Sequence, residues 1–454
     1  MKNVGRPALW PAILLTAIFA ICLTVQLLLP GFIGIANNGD FGKVYAWLCL
    51  APRDPETPFV YFQPDFVWSA KNYWNSPYHS SESALAWLAT RFAGATHEGA
   101  AFDLRWLGAI HIALCLAAFG VFWAGLRAAS RLILFAILPL VIFADVCYAA
   151  YLNSFYMDAA ALCGLLLMTA SAVWMTAPPG PRVAPVALFG LSAIFFVTSK
   201  AQHAVWGFLP AAGLLAYGFH WRQRRVLAWG SALLVLLAAA AMLGSMDASY
   251  RGQAMFNVVF ARLGPAGVDL EPLGVRAEEL RYRGMNAYTP GVPAANRAWA
   301  EEFGRRTGFA RLAAWYVRHP VRTFGFLAET LKNGAPEMRP VNLSNFRVED
   351  GQPPGARTEH FALWSDLRST LLRRWPWHLA IWYVVFVVGC AASRSSSKWA
   401  AAGIAALGIG EFAAAALGDS LDAARHLFLF HAATDLTICF AFAWALQKTM
   451  RHTP

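Results

Sequence analysis

The sequence predicts an all-α, polytopic membrane protein with about ten transmembrane helices and two long exterior loops. Three observations lead there. Of its 454 residues, 58% are hydrophobic and only 14% charged, the latter about half the share of an ordinary soluble domain. Uncharged runs close to the length that crosses a bilayer recur along the chain. The basic residues behind the formal net charge of +11 cluster in short connections between those runs, where they orient helices. That placement argues against nucleic acid as a partner.

Taken in order, spans are expected near residues 9–35, 106–126, 132–151, 157–177, 184–199, 203–220, 226–246, 377–393, 399–418 and 427–447. The first run follows Lys2 and Arg6 and is roughly twice as long as a signal-peptide core, so it reads as an uncleaved helix. Lys2, Arg6, Arg127, Arg131, Arg182, the trio Arg222, Arg224 and Arg225, then Arg394, Lys398, Lys448 and Arg451 all fall on one side of the count. By the positive-inside rule that side is cytoplasmic and holds both termini. The other side receives two long segments. The chain thus divides into an N-terminal transmembrane module (1–246) with its exterior loop 36–105, an exterior loop at 247–376, and C-terminal helices at 377–454. Most cysteines lie within apolar runs, so no disulfide framework is implied, although a Cys49–Cys147 bridge is left open.

Residues capable of chemistry collect at the exterior helix ends. "NNGDFGK" carries Asn38, Asp40 and Lys43; "YLNSFYMDAA" carries Asn153, Tyr156 and Asp158; "TSKAQHAVW" carries Lys200, Gln202 and His203. "GDSLDAARHLF" carries Asp419, Asp422, Arg425 and His426. Acids and cations at the helix ends of one face, opposite plain basic anchors on the other, mark a site on that face. Two acids lie deeper, Asp145 and Asp435, with His431 one turn before Asp435 and placed to pair with it. Glu411 sits in another apolar run. The aromatic-rich stretch "TPFVYFQPDFVWSAKNYWNSPYHSSES" reads as an interfacial belt or as apolar walls for a sugar. Residues 297–334 read as amphipathic helices broken near Pro320 and lying along the membrane. Asn342-Leu343-Ser344 matches a glycosylation sequon.

These four turns resemble the GT-C superfamily of integral-membrane glycosyltransferases, which use polyprenyl-phosphate-linked sugars. Asp40, just after the first helix, takes the place of the family's first acid; "YLNSFYMDAAALCGLLLM" is similar to its second acidic signature. "TSKAQHAVWGFLP" resembles its Lys-containing turn, and "DAARHLFLFHAATDL" a late Arg-containing element with His426 in place of an aromatic. The nearest pattern within the superfamily is that of bacterial surface-glycan hexose transferases. The resemblance implies a polyprenyl-phosphate sugar donor, a glycan or lipid-linked acceptor, and an active site on the exterior face of the inner membrane, among membrane lipids. Asp40 and Asp158 would then be catalytic. Lys200, Arg425, His203 and His426 would hold the donor phosphate, and Asn38, Lys43, Asn153, Tyr156, Gln202 and Asp422 would bind substrate.

The chemistry suits the residue types. Transfer to a hydroxyl needs a base, and a carboxylate partly stripped of water at the membrane boundary gains basicity. The departing phosphate needs preorganised cations. Asp40 can equally cap a helix running through Val44, Trp47 and Leu48. No cofactor is called for; a divalent metal shared by Asp40 and Asp158 is possible. A lipid-linked glycan flippase and a glycan polymerase or ligase stay open as alternatives. The charge asymmetry yields a direct test: a reporter fused after Arg225 should be cytoplasmic and one inserted near Gly351 exterior, and the reverse result would invert the site.

Overall fold

The computed structural model describes residues 10–73, 78–126, 133–177, 180, 182–418 and 421–452. Lys2, Arg6, Arg127, Arg131, Asp419 and residues 74–77 of the aromatic stretch lie outside them. Helices of two turns or more are α1 Trp10–Leu27, α2 Ser81–Phe92, α3 Arg105–Leu126, α4 Ile133–Phe143, α5 Met157–Thr176, α6 Val183–Val197, α7 Phe208–His220 and α8 Arg225–Ser245. There follow α9 Ala248–Phe256, α10 Arg297–Thr307, α11 Phe309–Arg318, α12 Pro320–Glu329, α13 Leu363–Arg374, α14 His378–Ala392, α15 Lys398–Gly418 and α16 Phe428–His452.

Among the described residues six helices are long and apolar enough to cross a membrane, or seven if the bent pair α13–α14 forms one span. Each expected run contains a helix, but several are shorter than expected for local reasons. The first helix stops at Leu27 because Pro30 and Gly31 (φ +84°) turn the chain. The third stops at Phe143; Asp145 then accepts a bond from Cys147 N at 2.9 Å and starts a separate turn. α6 has 15 residues.

α5 is the hub, with 78% of its apolar window buried. It packs on α3 and α6 through small residues: a Cβ on Gly164 would lie 3.0 Å from the Phe196 backbone, and one on Gly125 equally close to Trp174. Small side chains permit such approach where lipid gives no hydrophobic drive for association.

The segments between spans are structured. β2 (Leu50–Pro52), β3 (Asp65–Trp68) and β4 (Ala101–Asp103) form an antiparallel sheet. Phe62 and Phe66, expected in an interfacial belt, are buried at 1% exposure; Phe66 packs edge-on against Phe155. β1 (Gly34–Ile35) pairs with β5 (Leu343–Asn345), tying the first loop to the second. Residues 255–326 build a core of their own around Phe256, Phe260, Trp299 and Phe303. The expected break falls at Pro320, between α11 and α12. Cys49 and Cys147 are both free thiols. The Asn342 amide donates to Ala36 O and to Tyr156 Oη, so as a sequon it is already engaged.

α13 is bent 106° from α14 and docks on the bundle through two acids. Asp145 accepts from the backbone N–H of Trp364 (2.8 Å) and Ser365 (3.0 Å), capping the helix start. Asp435 accepts from Tyr148 Oη (2.6 Å), Trp364 Nε1 (2.8 Å) and Arg368. The expected His431–Asp435 pair is not formed: Asp435 is engaged by Tyr148 and by α13, and among the described residues neither ring nitrogen of the buried His431 has a hydrogen-bond partner. Leaving Asp435 as an unpaired buried charge should be costly. Arg368→Leu is expected to lower unfolding stability in detergent by about 3–5 kcal/mol, and adding Asp435→Asn should recover most of it. A single variant as stable as the wild type would show the pair to be incidental.

Candidate functional site

The loop after β1 is shaped by its own polar side chains. Asn37 Oδ1 accepts from the backbone of Gly39 (2.8 Å) and Phe41 (3.2 Å), a turn that puts Gly39 at φ +101°, where glycine is favoured. Phe41 is buried against Phe155 and Tyr156, so the residue before it is fixed at the edge of the core. Asp40 does not cap the short helix Gly42–Tyr45; Phe41 occupies the cap position with no side-chain bond.

Instead, the Asp40 carboxylate is held by two cations. Lys43 Nζ lies 2.6 Å from Oδ1 and Arg425 Nη2 lies 2.6 Å from Oδ2. Arg425 also donates through Nε to Asp422 (2.8 Å), which accepts from Asn38 as well (3.2 Å). The guanidinium sits over the Tyr156 ring, 4.7 Å from its centre, and Tyr156 Oη accepts from Asn38 N at 3.2 Å. Lys43 reaches Tyr250 Oη at 3.3 Å, and that ring meets Tyr78 edge-on. Asn38, Asp40, Lys43, Tyr156, Asp422 and Arg425, gathered from three distant segments, thus form one connected network.

Its electrostatics reverse an expectation. Burial alone pushes the Asp40 pKa up, as the sequence suggested; the charges of Arg425 and Lys43 and their hydrogen bonds outweigh it and hold the carboxyl well below the usual range. Burial works to lower the Arg425 pKa, but Asp40, Tyr156, Asp422 and Asp158 together raise it. Both groups are ionised at neutral pH. Asp40 as found is an ion-pair partner and a poor base.

The other expected residues lie beside this network. Lys200 pairs with Asp158 at 3.3 Å, both buried. Gln202 and His203 each donate to Glu411, at 2.8 Å, and Gln202 Oε1 lies 3.2 Å from His426 Nδ1. Asn153 belongs elsewhere: its amide donates to Leu27 O (3.0 Å) and Ile33 O (2.9 Å), fastening the end of α1. Lys200 and Arg425, the cations expected to hold a donor phosphate, thus both carry carboxylate partners. Asp40 and Asp158, for which a shared metal is only a possibility in the sequence, each face a cation, and among the described residues no cluster of three or more His, Cys, Asp or Glu gathers as a metal site. A cavity of about 170 Å³ lined by Phe119, Phe143, Leu166 and Phe440 shares none of these residues and is mostly apolar, with Ser395, Ser397 and Gln447 among its polar lining.

Tyr250, Glu411 and Asn342 complete the arrangement without having been assigned to it from sequence. Glu411 stood out as an acid in an apolar run; Tyr250 has no local signal, and Asn342 was masked by its sequon. The family model described as the YfdI N-terminal transmembrane domain matches residues 1–453. The chain belongs to that family. This YfdI-type chain is therefore a membrane protein with transmembrane helices, in accord with its long apolar α-helices. No curated protein and no solved structure matches it.

The depressed Asp40 pKa sets a stability signature. A carboxylate with a folded-state pKa below its unfolded value of about 4 contributes stability that is complete above that pH and lost as pH falls through the folded value. The gap in melting temperature between wild type and Asp40→Asn should therefore be level from about pH 8 to about pH 5 and shrink below about pH 4. A gap that changes around neutrality would place the titration of Asp40 elsewhere.

Proposed function

We propose that this protein is a membrane glycosyltransferase that moves a sugar from a polyprenyl-phosphate carrier to a glycan or lipid-linked acceptor. The observation that carries the reading is the Asp40–Lys43–Arg425–Asp422 network between the loop after β1 and the turn before α16, where a carboxylate and fixed cations lie in hydrogen-bond contact. The cluster brings together the two kinds of group the reaction asks for, a carboxylate and positive charge for the departing phosphate. Arg425, held by Asp422 and stacked on Tyr156, presents its planar fork to the phosphate, and Lys200 beside Asp158 adds a second positive centre. Resemblance to GT-C enzymes supports the same assignment. In this reading ten segments enter the inner membrane, both termini are cytoplasmic and the network faces the exterior.

A transporter of lipid-linked glycan is the second reading. It draws on the buried polar group at Arg368, Asp435 and His431 inside the bundle, where Arg368 Nε and Nη2 have no hydrogen-bond partner among the described residues. Transport would demand that these groups exchange partners during a cycle, whereas glycosyl transfer needs them only as an anchor for α13.

Transfer assays separate the two. Purified protein given a polyprenyl-phosphate sugar and acceptor should form glycosylated product, and Arg425→Gln or Lys200→Gln should lower kcat/KM by on the order of a hundredfold. Arg425→Lys, which keeps the charge and loses the fork, should recover only part. Absence of transfer by the wild type, with movement of intact lipid-linked glycan across vesicles, would favour the transporter.

A further inference from the structure

The network is electrically closed as it stands. Lys43 and Arg425 face Asp40 and Asp422, and Lys200 faces Asp158. The Arg425 side chain is 7% exposed and that of Asp40 19%. A donor phosphodiester entering here adds one negative charge to a balanced and partly dehydrated cluster, which is unfavourable unless a resident anion gives way. The two carboxylates on Arg425 are not equivalent. Asp422 holds Nε and is steadied by Asn38, so it fixes the base of the fork. Asp40 holds the outer Nη2 and has a second cation, Lys43, to fall back on.

Taking the proposed glycosyltransferase activity as its starting point, we propose that the phosphate of the lipid-linked donor displaces Asp40 from Arg425, and that this exchange is what turns Asp40 into the base. In the free protein Asp40 is locked in its ion pairs. With donor bound, Arg425 Nη2 turns to the phosphate, Asp40 keeps only Lys43, and a new anion stands next to it. Loss of one cation and gain of a neighbouring anion both raise the proton affinity of a carboxylate. The chemical step then balances. The acceptor oxygen bonds to the anomeric carbon while its proton passes to Asp40; the bond between that carbon and the phosphate oxygen breaks, and its electron pair stays on the phosphate, which Arg425 already faces. Uptake of the proton by Asp40 offsets the charge gained by the phosphate, so the cluster's net charge is unchanged across the step. The groups that set this titration are Lys43 on its own segment, Tyr250 beside Lys43, Tyr156 and Asp158 from α5 and the turn before it, and Asp422 and Arg425 from the last turn.

The exchange makes a prediction opposite to that for a residue that helps bind the donor. Binding of a short polyprenyl phosphate, the spent carrier, is measured for wild type and Asp40→Asn in nanodiscs, with Asp269→Asn as a remote control for net charge. Removing the competing carboxylate should tighten binding by roughly tenfold, because less of the free protein is held in a state that excludes the phosphate; Asp269→Asn should bind as the wild type does. Equal or weaker binding by Asp40→Asn, with measurable binding by the wild type, overturns the exchange and leaves the glycosyltransferase reading standing. No binding by either protein removes both. Should Asp40→Asn fail to fold, the unmodified protein supplies the test: the acid limb of kcat, which reports donor-bound protein, should lie at higher pH than that of kcat/KM, which reports free protein. Coincident limbs overturn the exchange.

Discussion

The ion pair between Asp40 and Arg425 joins the first loop of the chain to its last turn, and much of the surrounding structure serves to place those two side chains. Asp40 is fixed because Phe41 is buried against Phe155 and Tyr156. Arg425 is fixed because Asp422 holds its Nε and Tyr156 lies beneath its plane. Tyr156 in turn directly precedes α5, the most enclosed of the spanning helices. The pair is therefore referenced to the centre of the bundle rather than to flexible loops, which is the condition for a site to keep its geometry.

A second constraint runs through the molecule: charge taken out of water must find a partner. Glu82 of α2 meets His111 of α3 at 3.1 Å and also accepts from Ala160 N, near the start of α5. Lys200 meets Asp158, His203 meets Glu411, and Arg368 meets Asp435. Each of these contacts joins segments far apart in sequence. Because such pairs are weak sources of net stability and strongly unfavourable when mismatched, their role here is to select one arrangement of helices among several that would bury similar apolar area. The same rule explains why α13 leaves the direction of α14 so sharply: Asp145 and Asp435 offer bonds to its first turn and its arginine that a straight continuation would leave unmade.

The sequence was legible where the physics is local. Apolar runs announced α1, α3, α5, α8, α15 and α16, since length and hydropathy depend on no partner. Asp40, Tyr156, Asp158, Lys200, Asp422 and Arg425 stood out as polar residues at the ends of such runs, and the structure gathers them. What stayed hidden depends on distant partners. Asn153 sits in the same turn as Tyr156 but points to carbonyls at the end of α1. His431 and Asp435 have helical spacing for a pair, yet α13, lying within what read as a loop, claims the acid. Tyr250 follows α8 with nothing around it to suggest a role, and only the fold sets its hydroxyl beside Lys43. The sign of the Asp40 shift belongs to the same class: burial could be inferred from position, whereas two cations at 2.6 Å could not.

The pairing that orders the network also opposes its use. Ion pairs that bind Asp40 to Arg425 and Lys43 stabilise the first loop in the empty protein, and a ligand that needs Arg425 must overcome them. Empty-state stability and ligand affinity are thus linked with opposite sign through one carboxylate: whatever strengthens its hold on Arg425 makes the competent state rarer and lowers apparent affinity by the same factor. Under the proposed exchange a second cation would soften this conflict, because Lys43 would keep Asp40 paired once Arg425 had turned away. The cost of exchange is then that of redistributing a charge between neighbours, not of abandoning it in a dehydrated site. Two cations share one acid here and a second acid anchors the arginine, so the proposed exchange would leave Asp40 with a partner throughout.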